Sequence, residues 1–167
     1  MDPAGLQHRP GAPGDRAALA TFPCTSADAR AEPWIHVDAL DRHLGATALD
    51  DFQLLVFHED AGDLVAVVAH ERNFVVAGPD GDPVPGSYLM LVAIADRFRG
   101  GRAPDGRRLI DAVLDVIFDD IRSRNRGPWV AMMVQPGNAD GESLVARLGA
   151  SPVGASAGDD VFVLAIE

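Results

Sequence analysis

The chain has no lysine. All 14 of its cationic residues are arginine, against 25 aspartates and glutamates, giving a formal net charge of −11. That balance argues against general nucleic-acid binding, which needs a basic footprint. It suits cationic ligands such as amines, through electrostatic steering, and serves equally well to keep a chain in solution. Cysteine is almost missing too: Cys24 stands alone. No internal disulfide can form, and a cytoplasmic setting is the expectation. No apolar run approaches the ~18 residues of a membrane span. The N-terminus lacks the basic-then-apolar order of a signal peptide. His36 and His43 are the only close histidine pair on one predicted helix, but they sit two turns apart, so no metal site is expected. Tyr88 is the only tyrosine.

What is present fits one folded unit. The 167 residues are 47% hydrophobic and 23% charged, and a chain of this length buries enough surface to fold without staples. Residues 1–20 carry three prolines and three glycines with little apolar periodicity. They read as a disordered arm ahead of a domain over 21–167. Trp34, Ile35, Val37, Leu40 and Leu44 recur at helical spacing, predicting a helix over 33–45. Phe52–His58 and Leu64–His70 read as strands joined by a short glycine-containing turn. Residues 77–87 read as a loop, because Pro79, Pro83, Pro85 and three glycines fall there. Tyr88–Ala95 is nearly all apolar, the pattern of a strand buried on both faces. Leu109, Ile110, Val113, Leu114, Ile117 and Ile121 then mark an amphipathic helix. Trp129–Val134 reads as a strand, 139–148 as a helix capped by Asn138 and closed by Gly149, and Val161–Ile166 as a last strand. The order predicts a mixed α/β sheet with helices packed on it.

The stretch between the buried strand and the amphipathic helix holds the most chemistry. Arg97, Arg99, Arg102, Arg107 and Arg108 lie within twelve residues of one another, with Gly100, Gly101 and Gly106 among them. Glycines let backbone N–H groups approach a ligand closely. The helix N-terminus that follows favours an anion. Arginine adds charge-assisted bonds to phosphate oxygens. A diphosphate is the natural ligand for such a loop; the bland alternative is a solvated arginine loop.

Arg97-Phe98-Arg99-Gly100, then Gly106-Arg107-Arg108-Leu109, resembles the Arg/Gln-x-x-Gly-x-Gly/Ala turn of the GNAT superfamily of N-acetyltransferases. Val134-Gln135-Pro136-Gly137-Asn138 followed by Leu144 to Ala150 resembles that family's second pattern, strand-Pro-x-Asn and Leu-Tyr-x-x-x-Gly-Phe. The likeness covers about residues 50–167. It implies a mixed, mostly antiparallel central sheet with helices on both faces. It implies acetyl-CoA as co-substrate and a primary amine as acceptor, with transfer by direct attack, and a homodimer is common in the family. Backbone groups at Ile94, Ala95 and Asp96 would position the thioester. Arg99, Gly100, Gly101, Arg102, Gly106, Arg107 and Arg108 would hold the diphosphate, and Asn138 would lie near the pantetheine arm. Two positions depart from the pattern: Val145 replaces the tyrosine that often protonates the leaving thiolate, and Ala150 replaces the final phenylalanine. The departures motivate an alternative, a non-catalytic acyl-CoA-binding sensor or interaction module. For the proton taken from the amine, Glu71 and His70 are the candidates. They are adjacent on a strand, so only one would face the cleft.

Overall fold

The structure is a computed structural model, and it describes residues 6–25, 35, 52–59, 62–78, 80–124 and 127–166. The described strands are β1 (Gln7–Pro10), β2 (Phe52–His58), β3 (Leu64–Ala77), β4 (Pro83–Ile94), β5 (Trp129–Val134), β6 (Ser151–Ser156) and β7 (Asp159–Ala165). The described α-helices are α1 (Arg16–Ala20), α2 (Leu109–Arg124) and α3 (Ala139–Leu148). The strands form one sheet in the order β1-β2-β3-β4-β5-β7-β6. Every neighbouring pair is antiparallel except β4–β5, which is parallel. The two halves of the sheet therefore meet along that one parallel seam.

Each face of the sheet carries its own core. On one face Leu55, Phe57, Ala66, Val68 and Leu89 pack against Val113, Ile117 and Ile121 of α2 and Val145 of α3. On the other, Leu54, Val56, Val67, Ala69 and Ala93 pack against Leu19 of α1, Phe22, Cys24 and Ile35. This alternation is the period of two expected of strands buried on both sides. Helices on both faces of a mixed sheet agree with the expected architecture. Among the described residues no helix is long and apolar enough to cross a membrane.

Two expectations need correction. Residues 6–20 are not an unstructured arm: β1 pairs with β2, and α1 docks Leu19 into the second core with 0% exposure. The proline- and glycine-rich composition concealed a local lock. Asp15 accepts both Arg9 guanidinium nitrogens, at 2.5 and 2.7 Å, and the Ala12 amide at 2.8 Å. The loop expected over 77–87 is mostly hairpin. Pro83 pairs with Ala77 and Pro85 with Val75, while Gly78 N–H bonds to Asp82 O at 2.8 Å. That bond puts both prolines on positions where the ladder asks no N–H of them, so the sheet tolerates them. β6 went unseen in the sequence because Pro152 and Gly154 obscure its pattern and it lies at the sheet edge. The helix expected over 33–45 lies outside the described residues apart from Ile35.

Candidate active site

The parallel seam is short. Gly86 to Leu89 pair with Trp129 to Met132, and there the ladder ends. β4 runs on to Ile94 and β5 to Val134, so the strands diverge from a fork at Leu89 and Met132. A bulge in β4 sits at the fork: Ala69 faces Leu91 but His70 faces Leu89, leaving Met90 as the extra residue. Bulges bend a strand and end pairing, which is what happens here. The resulting cleft has a volume of about 680 Å³. It passes through the sheet. Leu89, Val134 and Val145 line it from the α2 face, and Leu91, Ala93 and Met133 from the other.

The ladder on the far side of β4 sets which backbone groups look into the cleft. Ala95 N–H donates to Val65 O at 2.9 Å. In an antiparallel ladder the groups that bond one neighbour alternate with those that face away. Ala93 and Ala95 thus point to β3, and the N–H groups of Val92 and Ile94 point toward the gap that β5 has vacated. Ile94 lines the cleft. Ala95 and Asp96 do not. Ala95 is buried and its amide is taken by β3. The Asp96 amide bonds to Pro23 O at 2.9 Å, and its carboxylate accepts the Thr25 amide and hydroxyl, both at 2.8 Å. Those Thr25 bonds, with lesser help from Arg99, hold the Asp96 carboxyl below its ordinary pKa. Asp96 anchors the segment after α1 rather than a ligand.

The arginine and glycine loop is closed at a neck. Leu109 N–H bonds to Gly101 O at 3.0 Å and Ala103 N–H to Arg107 O at 2.9 Å, making Arg102 and Arg108 an antiparallel bridge. Residues 102–108 form a small excursion, turned by Gly106 at φ 87 and bonded from Gly106 N–H to Ala103 O. Pro104 lies in that turn, away from the neck. The neck brings Gly100 and Gly101 up to the first residue of α2 despite the long spacing in sequence. Gly101 has no room for a side chain: a Cβ there would lie 2.8 Å from the Phe98 carbonyl oxygen. Gly100 sits at φ 69, where other residues are strained.

The five arginines separate by direction. Arg99, Arg102 and Arg108 line the cleft, together with Gly100 and Gly101. Arg99 spans its mouth, with Nε 3.4 Å from Asp96 and Nη1 3.5 Å from Asp140 of α3. Arg102 donates to Gly106 O at 2.6 Å. Arg108 makes no side-chain bond among the described residues. Gly106 and Arg107 are not in the cleft, against expectation. Arg107 is held outside it by Asp105 at 2.6 Å and by Asp115, and those two hydrogen bonds raise its pKa further. Arg97 also turns away, to Asp63 at 2.5 Å and over the Phe98 ring. Spacing alone did not separate the two sets, because carboxylates on neighbouring elements decide which arginines are captured.

Asn138 lines the cleft. Its side-chain oxygen caps α3 by accepting Gly141 N–H at 3.1 Å, which leaves its NH2 group for the cleft. Val145 is buried in the cleft wall and places an apolar surface where the resemblance expects a tyrosine. Sequence reasoning missed Phe98, Cys24, Asp140, Ser143 and Arg147, all of which line the cleft. The spacing 140, 143, 147 does place three of them on one face of α3, and that signal was available.

The two base candidates divide as adjacent strand residues must. His70 is fully buried on the α2 face and its Nε2 lies 2.9 Å from Asp120. It is absent from the cleft lining, and its ring is enclosed between the sheet and α2, away from where the expected base would stand. Glu71 also stands outside the cleft lining proper. It lies on the opposite face, directly across from Tyr88, one residue before the fork, and is half-buried.

Comparison with solved structures gives the architecture a name. The GNAT domain of PAT from S. lividans superposes with a TM-score of 0.66 at 18% identity, covering 96% of this chain and 90% of that one. PaiA N-acetyltransferase from Thermoplasma acidophilum, solved with coenzyme A, gives 0.63 at 12% identity, with 96% and 98% covered. AtaTR bound with AcCoA gives 0.63 at 11% identity, with 99% and 94% covered. No protein-family model matches the sequence, and no curated protein matches it. The chain has the GNAT fold.

Proposed function

We propose that the protein is an acetyl-CoA-dependent N-acetyltransferase acting on a primary amine by direct attack. The observation that carries this reading is the fork: a cleft that opens at Leu89, exposes strand N–H groups at Val92 and Ile94, and ends at a glycine neck on a helix N-terminus. Such a neck suits a diphosphate, with Arg99, Arg102 and Arg108 adding charge. The Asn138 NH2 group suits an amide of the pantetheine arm. Two of the neighbours in fold were solved with coenzyme A or AcCoA. The N–H of Ile94 or Val92 would donate to the thioester oxygen as it gains negative charge. The amine nitrogen attacks the carbonyl carbon, the C–S bond breaks, and coenzyme A departs as thiolate. The amine proton passes to Glu71, directly or through water, and the thiolate takes up a proton from solvent. Purified protein supplied with acetyl-CoA and a panel of amines should release free coenzyme A faster with at least one amine. Glu71→Gln should cut that rate by about 10²-fold or more with acetyl-CoA affinity unchanged.

Val145 favours a second reading, a module that binds acyl-CoA without transferring the group. It predicts acetyl-CoA binding with no amine-dependent release of coenzyme A.

A further inference from the structure

On the face opposite α2, two rows of side chains cross the sheet next to the fork. One row runs Phe74–Gly86–Trp129, the next Glu71–Tyr88–Ala131. The middle of the first row is empty by necessity, since a Cβ on Gly86 would lie 2.5 Å from the Trp129 carbonyl oxygen. Ala131 keeps the second row low beside the fork. The three aromatic residues packed around these small ones are only half-buried, whereas Phe22 and Phe57 in the two main cores are at most 1% exposed. The Phe74 and Tyr88 rings lie 5.1 Å apart, tilted by 31°. Glu71, the carboxylate in these rows, is on the side nearer the bulge and the fork.

Resting on the transferase reading above, we infer that the acceptor is an amine carrying an aromatic body. Its ammonium group meets Glu71, and its ring lies against Phe74, Tyr88 and Trp129. A carboxylate beside aromatic faces recognises a cation with an apolar tail, through the charge at one end and ring contact at the other. The cleft reaches this face of the sheet through Leu91 and Met133, so an amine lying along the rows meets a thioester coming from the glycine neck. A polyamine or an amino sugar presents no ring to these faces and gains nothing from them.

The test compares 2-phenylethylamine, n-butylamine and spermidine as acceptors, reading coenzyme A release, with acetyl-CoA titrated calorimetrically into the same preparation. The inference expects kcat/KM for 2-phenylethylamine to exceed that for n-butylamine by about tenfold or more. Phe74→Leu should collapse that ratio while turnover of n-butylamine persists, whereas a merely structural role would lower both rates together. Tyr88→Phe, which keeps the ring, should retain the ratio. Equal or better turnover of n-butylamine or spermidine overturns the inference and leaves the transferase reading standing. No release with any of the three overturns it as well, and the titration then separates a binding module from a failed cofactor assignment.

Discussion

His70 Nε2 lies 2.9 Å from a carboxylate oxygen of Asp120, joining the middle of β3 to the last turns of α2 across 50 residues of sequence. The imidazole is fully enclosed, and the carboxylate is largely so. Removing the ring leaves a cavity beside α2 and takes one hydrogen bond from Asp120. His70→Ala should therefore destabilise the fold by about 2–4 kcal/mol, read from denaturant midpoints, with acetyl-CoA affinity unchanged at a temperature where the variant is folded. Loss of turnover without loss of stability would return His70 to the chemistry.

Acid should release the N-terminal segment first. Hydrogen bonding to Arg9, then to the Ala12 amide, holds the Asp15 carboxyl below its ordinary pKa. A depressed carboxyl favours the folded state above the unfolded pKa of about 4, and that contribution is lost as pH falls through the lower folded value. Thermal midpoints should drop more steeply below about pH 4 for the native chain than for Asp15→Asn. The variant should be less stable than the native chain at pH 7 by about 1 kcal/mol. Parallel pH profiles for the two would contradict this.

Gly101→Ala should weaken acetyl-CoA binding by about tenfold or more, since its Cβ would meet the Phe98 carbonyl and force the neck open. Far-ultraviolet circular dichroism should be unchanged, because Gly101 itself belongs to no helix or strand. Unaltered affinity would mean that the neck does not touch the ligand.

The strands at 52–58, 64–70 and 129–134, the buried strand and the long helix were legible because each follows one period for several turns or pairs. So was the region of the cleft: Ile94, Arg99, Gly100, Gly101, Arg102, Arg108 and Asn138 all line it. What failed to show in sequence was directional. Arg107 and Arg97 look like Arg108 until Asp115 and Asp63 are seen beside them. Ala95 and Asp96 look like cleft residues until Val65 and Pro23 claim their amides. Pro83 and Pro85 read as loop because their missing N–H groups are harmless only in one register. Glu71 and His70 face opposite ways, and the alternation of β3 decides which one meets the core: His70 shares the α2 face with Ala66 and Val68.

Isothermal titration of acetyl-CoA into the native chain, Arg108→Ala and Arg107→Ala is the most direct test of the proposed cofactor site. The two arginines are adjacent in sequence and carry the same charge, and only the first lines the cleft. Binding to the native chain that weakens by about tenfold in Arg108→Ala and stays unchanged in Arg107→Ala is the expected result. No binding to the native chain, or an equal loss in both variants, would contradict the site.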